Sequence, residues 1–451
     1  MSDAPPRPSR PDRDTGTARH VALCAVVGIL TGAIGSVFHL AIDSALGWPS
    51  ALRQVVDGPL LVVCAAAVTM LATVAVVAVV RRYAPEAGGS GIQEVEGAMA
   101  GLRQVRWARV LPVKFFGGIA AIGSGLVLGR EGPTIHIGAS LAGMCSDWSR
   151  AGSAGRSGLL AAGAAAGLAC AFNAPVAAVL FVTEETRKEF PFSFRTYMGV
   201  VAASLLATVA TELIGGVAPD LSMRVDEPAL RALPLFALLG VVLGAIGVLF
   251  NAAVLRALAF ATTAQSRAPY VYPAVVGLVV GALMVLYPHS VTGGEPLVRT
   301  LAAQHPGLLV LLLLAVARFC TTVASYSSGV PGGIFAPMLS LAGCVGLAFG
   351  TMAGVVGPDW GASPPAFAIA AMGGLFTASV RAPMVGVVLT LELTGAYTMA
   401  MPLLATCLLA NLVASLLGGR PIYEQLLDRT LAMAAESPGG KPATPSGAQV
   451  P

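Results

Sequence analysis

The sequence predicts an all-α polytopic membrane protein built from two repeated halves of glycine-broken helices. Three observations carry that expectation. Of the 451 residues, 56% are hydrophobic and only 11% charged, with a mean hydropathy of +0.79; a water-soluble domain usually carries about 25% charge. Apolar stretches recur over 21–42, 58–80, 195–215, 233–262, 270–287, 306–325, 365–380 and 399–417, and several reach the roughly 20 residues a helix needs to cross a bilayer. Motifs of the first half return in the second at a nearly constant spacing.

Taken in order, residues 1–20 mix Arg7, Arg10, Arg13 and Arg19 with Asp3, Asp12 and Asp14, which predicts a polar, disordered tail. The run 21–42 is longer than the apolar core of a cleaved leader, and many membrane segments follow it, so it is expected to remain as one of them. A first half over 21–217, a linker over 218–232 and a second half over 233–430 come next. The Pro-, Gly-, Ala- and Ser-rich residues 431–451 predict a second disordered tail and no regulatory soluble domain. The arginines ahead of the first segment place the N-terminus in the cytoplasm. A net charge of +4 is too small for a nucleic-acid partner. Seven scattered cysteines (Cys24, Cys64, Cys145, Cys170, Cys320, Cys344 and Cys407) argue against a disulfide framework or a zinc site and predict packing thiols. No metal or cofactor is expected.

The repeat rests on particular residues. Lys114-Phe115, Ser124-Gly125 and Gly129-Arg130-Glu131-Gly132-Pro133 return as Arg318-Phe319, Ser328-Gly329 and Gly333-Ile334-Phe335-Ala336-Pro337, at a constant offset of 204 positions (133 to 337). Asn173-Ala174-Pro175 and Glu184 return as Arg381-Ala382-Pro383 and Glu392, now 208 positions on (184 to 392). Gly88-Gly89-Ser90-Gly91 has a looser echo in Gly293-Gly294-Glu295-Pro296. Interrupted apolar segments at matching positions mark transporter folds and point to a site at the repeat interface near the membrane midplane. Helix counting alone leaves open whether the repeats run parallel or inverted.

Glycine is abundant, 53 residues or about 12%, against an average near 7%. Three Gly-rich bends precede apolar helices, at 88–97, 129–138 and 332–341. Pro133 and Pro337 fall in the first turn, where a missing N–H costs nothing. A helix N-terminus presents unpaired N–H groups and about half a positive charge, which suits an anion. Three such ends meeting at the midplane would replace the water around a halide and still hold it loosely enough to let it leave.

GSGIQE at 89–94, GREGP at 129–133, GGIFAP at 332–337 and Tyr423, expected shortly before the last helix ends, together resemble the CLC chloride channels and transporters. The resemblance runs from about residue 20 to 432 and includes LPVKFFGG at 111–118 and GLACAFNAPVAAVLFVTEE at 167–185. It implies inverted repeats of broken and tilted helices and a homodimer in which each subunit has its own anion path. It also implies a bacterial inner (plasma) membrane location with cytoplasmic termini. Membrane lipid, protons and chloride, or bromide or another halide, are the implied partners.

Carried over by position, the resemblance implies an anion held by the Ser90 and Tyr423 hydroxyls and the backbone N–H groups of Ile334 and Phe335. Glu131 matches the family's outer gating glutamate: its carboxylate takes the anion's place when ionised and leaves on protonation. Glu185 matches the internal proton acceptor that separates exchangers from channels. Each residue has a plainer reading. Ser90 could be an N-cap, Tyr423 an interfacial anchor and Glu131 a helix-terminal carboxylate favoured by the dipole. Glu185, beside Thr186-Arg187-Lys188, could simply face cytoplasmic water. Glu184, whose mate is Glu392, is expected to be structural, His136 a packing or water-facing residue, and Lys114 and Arg318 to tune the field near the path. Gln93 stands where most family members carry proline, adding an N–H and an amide near Ser90, a change expected to bear on anion preference or rate. Ser90 itself argues against a nitrate specialist, and the filter sequence of fluoride exporters is missing.

The expected function is chloride/proton exchange, with a passive chloride channel on the same scaffold as the alternative. An intramembrane enzyme is disfavoured, because no HExxH, no GxSxG and no pair of membrane-embedded aspartates occurs.

Overall fold

In hydrocarbon every backbone N–H and C=O must be satisfied within the protein, and the chain meets that demand with helices. The computed structural model describes residues 11–186, 193–216, 221–223, 225–357 and 360–435. The first half holds α1 (Pro11–Ala45), α2 (Trp48–Arg53), α3 (Gly58–Tyr83), α4 (Ile92–Met99), α5 (Trp107–Gly123), α6 (Glu131–Ser149), α7 (Ser153–Phe172), α8 (Pro175–Glu184) and α9 (Phe194–Gly215). The second holds α10 (Leu233–Arg267), α11 (Val271–Leu286), α12 (Leu297–Gln304), α13 (Leu308–Ser327), α14 (Phe335–Val356), α15 (Pro364–Val380), α16 (Pro383–Thr394) and α17 (Ala400–Leu416), and α18 (Ile422–Ala435) follows. Among the described residues eight helices are long and apolar enough to cross a membrane.

Setting α2 and α18 aside, the halves correspond helix by helix. α1 and α10 are both long, and α4 and α12 each have 8 residues. Packing repeats too: α1 lies on α7 and α9 as α10 lies on α15 and α17, and α6 lies on α7 as α14 lies on α15. Small residues permit the close approach. A Cβ on Gly28 or Gly32 of α1 would strike the backbone of Ala203 or Ala207 in α9, and one on Gly240 or Gly244 of α10 would strike α17 at Thr406 or Val413. Helices α6, α7, α14 and α15 form the protein-enclosed centre. Leucines and valines such as Leu60, Val63, Leu71, Leu309, Leu313 and Val316 lie exposed on the outer helices, the surface that lipid covers.

Mates that touch each other show how the halves are related. Glu184, at the end of α8, accepts hydrogen bonds from the N–H groups of Met384 (3.3 Å) and Val385 (2.9 Å) at the start of α16. Glu392, near the end of α16, accepts from Val176 (3.2 Å) and Ala177 (2.7 Å) at the start of α8. Donors and acceptors are all mates at the 208 offset, so α8 and α16 run antiparallel across a pseudo-two-fold axis perpendicular to them. The repeats are inverted, and Glu184 has the structural role its mate suggested.

Two boundaries differ from expectation. Residues 11–20 belong to α1 rather than to a polar tail, because the long apolar helix carries the polar residues with it. Residues 431–435 likewise continue α18. The remainder of both expected tails, 1–10 and 436–451, lies outside the described residues, as do 217–220 and 224 of the segment joining the halves. Within that segment the Leu221 and Met223 N–H groups bond to Leu393 and Thr394 at the end of α16 (3.2 Å each). All seven cysteines are free.

Candidate anion site at the repeat interface

The three Gly-rich bends are joined to one another. Gly129 and Gly333, mates at the 204 offset, exchange two hydrogen bonds: Gly129 N–H to Gly333 O at 2.8 Å and the reverse at 2.7 Å. The pseudo-two-fold axis therefore passes between them, and the N-termini of α6 and α14 meet there. The third bend is tied in by Gly89 N–H to Val330 O (2.9 Å) and Gly332 N–H to Gly89 O (3.0 Å). Gly91 has a φ of +90°, and a Cβ there would collide with the His136 ring; only glycine combines that backbone with that space.

Buried cations fix which way the bends face. The Lys114 ammonium donates to Ala87 O (3.0 Å) and Gly89 O (2.7 Å). Its mate Arg318 donates to Val291 O (3.1 Å) and Gly293 O (2.9 Å), the mates of those two carbonyls, and also to His289 O and Thr292 O. Each loop carbonyl that turns to its cation takes a negative dipole out of the site.

Ser90, Glu131, Ile334, Phe335 and Tyr423 are all buried, none more than 1% exposed, and they share one locus. The Ser90 hydroxyl lies against Gly132, where a Cβ would collide with it. A Cβ on Gly333 would sit 3.1 Å from a Glu131 carboxylate oxygen. The Tyr423 ring meets Phe335 edge-on at 5.7 Å, within an aromatic group that includes Phe181 and Phe376 (5.8 and 4.9 Å from Phe335). Tyr423, expected near the end of the last helix, is instead the second residue of α18, whose first turn carries it into the site.

The plainer readings can now be weighed. Gly91, not Ser90, is the N-cap of α4, and the Ser90 hydroxyl makes no protein hydrogen bond. Tyr423 is buried rather than interfacial, and its hydroxyl is likewise unpartnered. Glu131 opens α6, facing its own N–H and that of Ala336, yet neither carboxylate oxygen forms a hydrogen bond of good geometry. The first N–H groups of α14 have no carbonyl one turn back within the helix. The locus thus gathers hydroxyl and amide donors around one carboxylate, an arrangement that favours an anion or that carboxylate, one at a time. His136 packs on Gly91 and is buried.

Glu185 stands apart. It caps the C-terminus of α8, half-buried, one turn after Phe181, which packs on Phe335. Tyr423 is within electrostatic range of both Glu131 and Glu185. Of the polar flank expected beside Glu185, Arg187 and Lys188 lie outside the described residues.

Other residues join the site. The Tyr326 hydroxyl lies beside the Ser90 backbone N–H; a lone tyrosine in an apolar run two residues before Ser328-Gly329 was its only signal. Gln93 is 8% exposed with an unpartnered carbonyl oxygen. With Gly89 and Tyr326 it lines a cavity of about 470 Å³ whose wall also carries Arg81, Arg103 and Arg429. On the far side of Glu131, Arg130 lies 3.5 Å from Glu295 and 3.6 Å from Asp43. Both Arg130 and Glu295 lie inside the quoted motifs, but nothing in their spacing announced the pair.

Comparisons with known proteins agree with this geometry. The family model described as voltage gated chloride channel matches residues 72–415. The chain is 44% identical over 420 residues to the "H(+)/Cl(-) exchange transporter ClcA" of Vibrio parahaemolyticus serotype O3:K6 (strain RIMD 2210633), covering 91% of this chain and 89% of that one. It is 41% identical over 435 residues to the protein of the same name from Salmonella agona (strain SL483), covering 93% and 90%. Among solved structures, a slow cyanobacterial Cl-/H+ antiporter superposes with a TM-score of 0.88 at 35% identity, over 92% of this chain and 98% of that one. With its inverted halves, its joined helix N-termini and these relatives, the chain belongs to the voltage gated chloride channel (CLC) family.

Proposed function

We propose that the protein is a secondary active transporter that exchanges chloride for protons. The observation that carries this reading is one buried carboxylate, Glu131, set among hydroxyl and amide donors that no protein acceptor uses. Ionised, Glu131 occupies the donors. Protonated, it has no charge to offer them, and a halide takes its place, held by Ser90, Tyr423 and the N–H groups of Ile334 and Phe335. Anion and proton movements are coupled because one group serves both. Glu185 receives the proton on the inner side. The names of the relatives at 41–44% identity support exchange over passive conduction.

Arginine placement supports the orientation. Arg19 bonds to Ser149 O, Arg81 to Gln265, and Arg429 to Leu258 O, so one face joins the beginning of α1, the ends of α3, α6 and α10, and α18. Arg103, Arg150, Arg156 and Arg195 line cavities on that face, which the positive-inside rule assigns to the cytoplasm together with both termini. A homodimer in a bacterial inner membrane completes the reading, as the family resemblance implies.

In proteoliposomes, an imposed chloride gradient should drive protons uphill. Chloride flux without proton movement would establish the channel reading instead.

A further inference from the structure

A cavity of about 740 Å³ lies outside the anion path at the beginning of α5. Four guanidinium groups line it, Arg103, Arg106, Arg109 and Arg156, against one lining acid, Asp147. Two of the four are already engaged. Arg103 makes a two-point bond to Glu94 (2.8 and 3.1 Å), and Arg156 pairs with Asp147, which also accepts from the Trp107 indole (2.9 Å). Neither Arg106 nor Arg109 has a side-chain hydrogen bond or ion pair to any described residue. Both project from the first turn of α5, which has no side-chain cap. Two unpaired planar donors three positions apart match a phosphate, which accepts paired N–H bonds from each fork.

The surroundings select where the phosphate comes from. Trp107 on the cavity wall meets Trp148 edge-on at 6.4 Å, and Trp148 is 71% exposed. Tryptophans concentrate at the boundary between water and lipid, and here a half-buried Trp107 backs an exposed Trp148. Beyond Arg109 the exposed side of α5 continues as Pro112 and Phe116, an apolar strip leading away from the guanidinium groups. We propose that this cavity is a binding site for the phosphate of an anionic phospholipid, with the headgroup between Arg106 and Arg109 and the acyl chains along α5. A free phosphate would use the same two forks but gain nothing from the strip.

The test uses the purified full-length protein, stripped of lipid in a neutral detergent. It is titrated with short-chain phosphatidylglycerol, short-chain phosphatidylcholine and inorganic phosphate, with binding read by native mass spectrometry and by tryptophan fluorescence. Phosphatidylglycerol should bind about tenfold or more tightly than either of the others, and Arg106→Gln with Arg109→Gln should weaken it by about the same factor. Uphill proton transport should survive that double change. Equal binding of the two lipids by the unmodified protein would overturn the proposal without recourse to any variant. Inorganic phosphate binding as tightly as phosphatidylglycerol would overturn the lipid as its source, and undiminished binding by the double variant would overturn the location.

Discussion

Glu184 and Glu185 are neighbours in sequence, and the same substitution should affect them in opposite ways. Glu184→Gln removes a charge that accepts two N–H groups at the start of α16, at 3.3 and 2.9 Å. A hydrogen bond to a charged group contributes about 1.5–3 kcal/mol, and glutamine keeps one acceptor oxygen, so roughly one such bond is lost. The helix N-terminus loses a further ~0.5 kcal/mol of favourable interaction with the carboxylate, for a total of ~2–3.5 kcal/mol of stability. Proton coupling should persist. Glu392→Gln should cost a similar amount, since its bonds at 3.2 and 2.7 Å are the symmetry mates. Glu185→Gln should abolish uphill proton movement while chloride still flows. Unfolding in a fixed detergent and proton uptake by proteoliposomes read the two quantities separately. A Glu184→Gln protein as stable as the parent, or one that loses coupling, would refute the division of labour.

Other perturbations test the site from different sides. Lys114→Met leaves the Ala87 and Gly89 carbonyls without their cation and frees the bend to turn them inward, so chloride affinity measured by calorimetry should fall about tenfold or more, near 1.4 kcal/mol. Gly91→Ala should lower the yield of folded protein, because an L-residue at φ +90° is strained and its Cβ meets both the ring and the Cβ of His136; adding His136→Ala should recover part of the loss by removing the ring, with the Cβ contact remaining. Gln93→Pro removes an N–H and a carboxamide from the cavity that Gly89 and Tyr326 also line, and the ratio of chloride to nitrate flux should change; an unchanged ratio would mean that Gln93 is only a packing residue.

The sequence disclosed the outer helices and the site motifs more readily than the enclosed centre, for a physical reason. The long segments expected over 58–80 and 233–262 became α3 and α10, because a helix facing lipid must display leucine and valine. The most apolar stretch of α3 is mostly turned outward, whereas α7 over 155–172 is much less apolar and almost wholly enclosed. A helix enclosed by protein needs small residues for close approach more than bulk, so α7 reads weakly on a hydropathy scale. The repeat compensated, since matching Lys114 to Arg318 and Glu184 to Glu392 marked residues whose hydrogen bonds proved to be mates as well. Inversion was not derivable from helix counting: it depends on α8 and α16 meeting end to start, a tertiary fact. Arg130 with Glu295, and Tyr326 beside Ser90, were invisible because more than 160 residues separate each pair in the chain.

Competition between Glu131 and a halide for one set of donors is open to direct measurement by titrating chloride into the purified protein across a range of pH. In the parent protein, protonation should remove the competing carboxylate, so chloride should bind more tightly as pH falls. Glu131→Gln carries no charge at any pH, and its chloride affinity should be at least as high as the parent's and independent of pH. An affinity for Glu131→Gln that still climbed in acid, or no chloride binding by either protein, would mean that the carboxylate and the anion do not share a site.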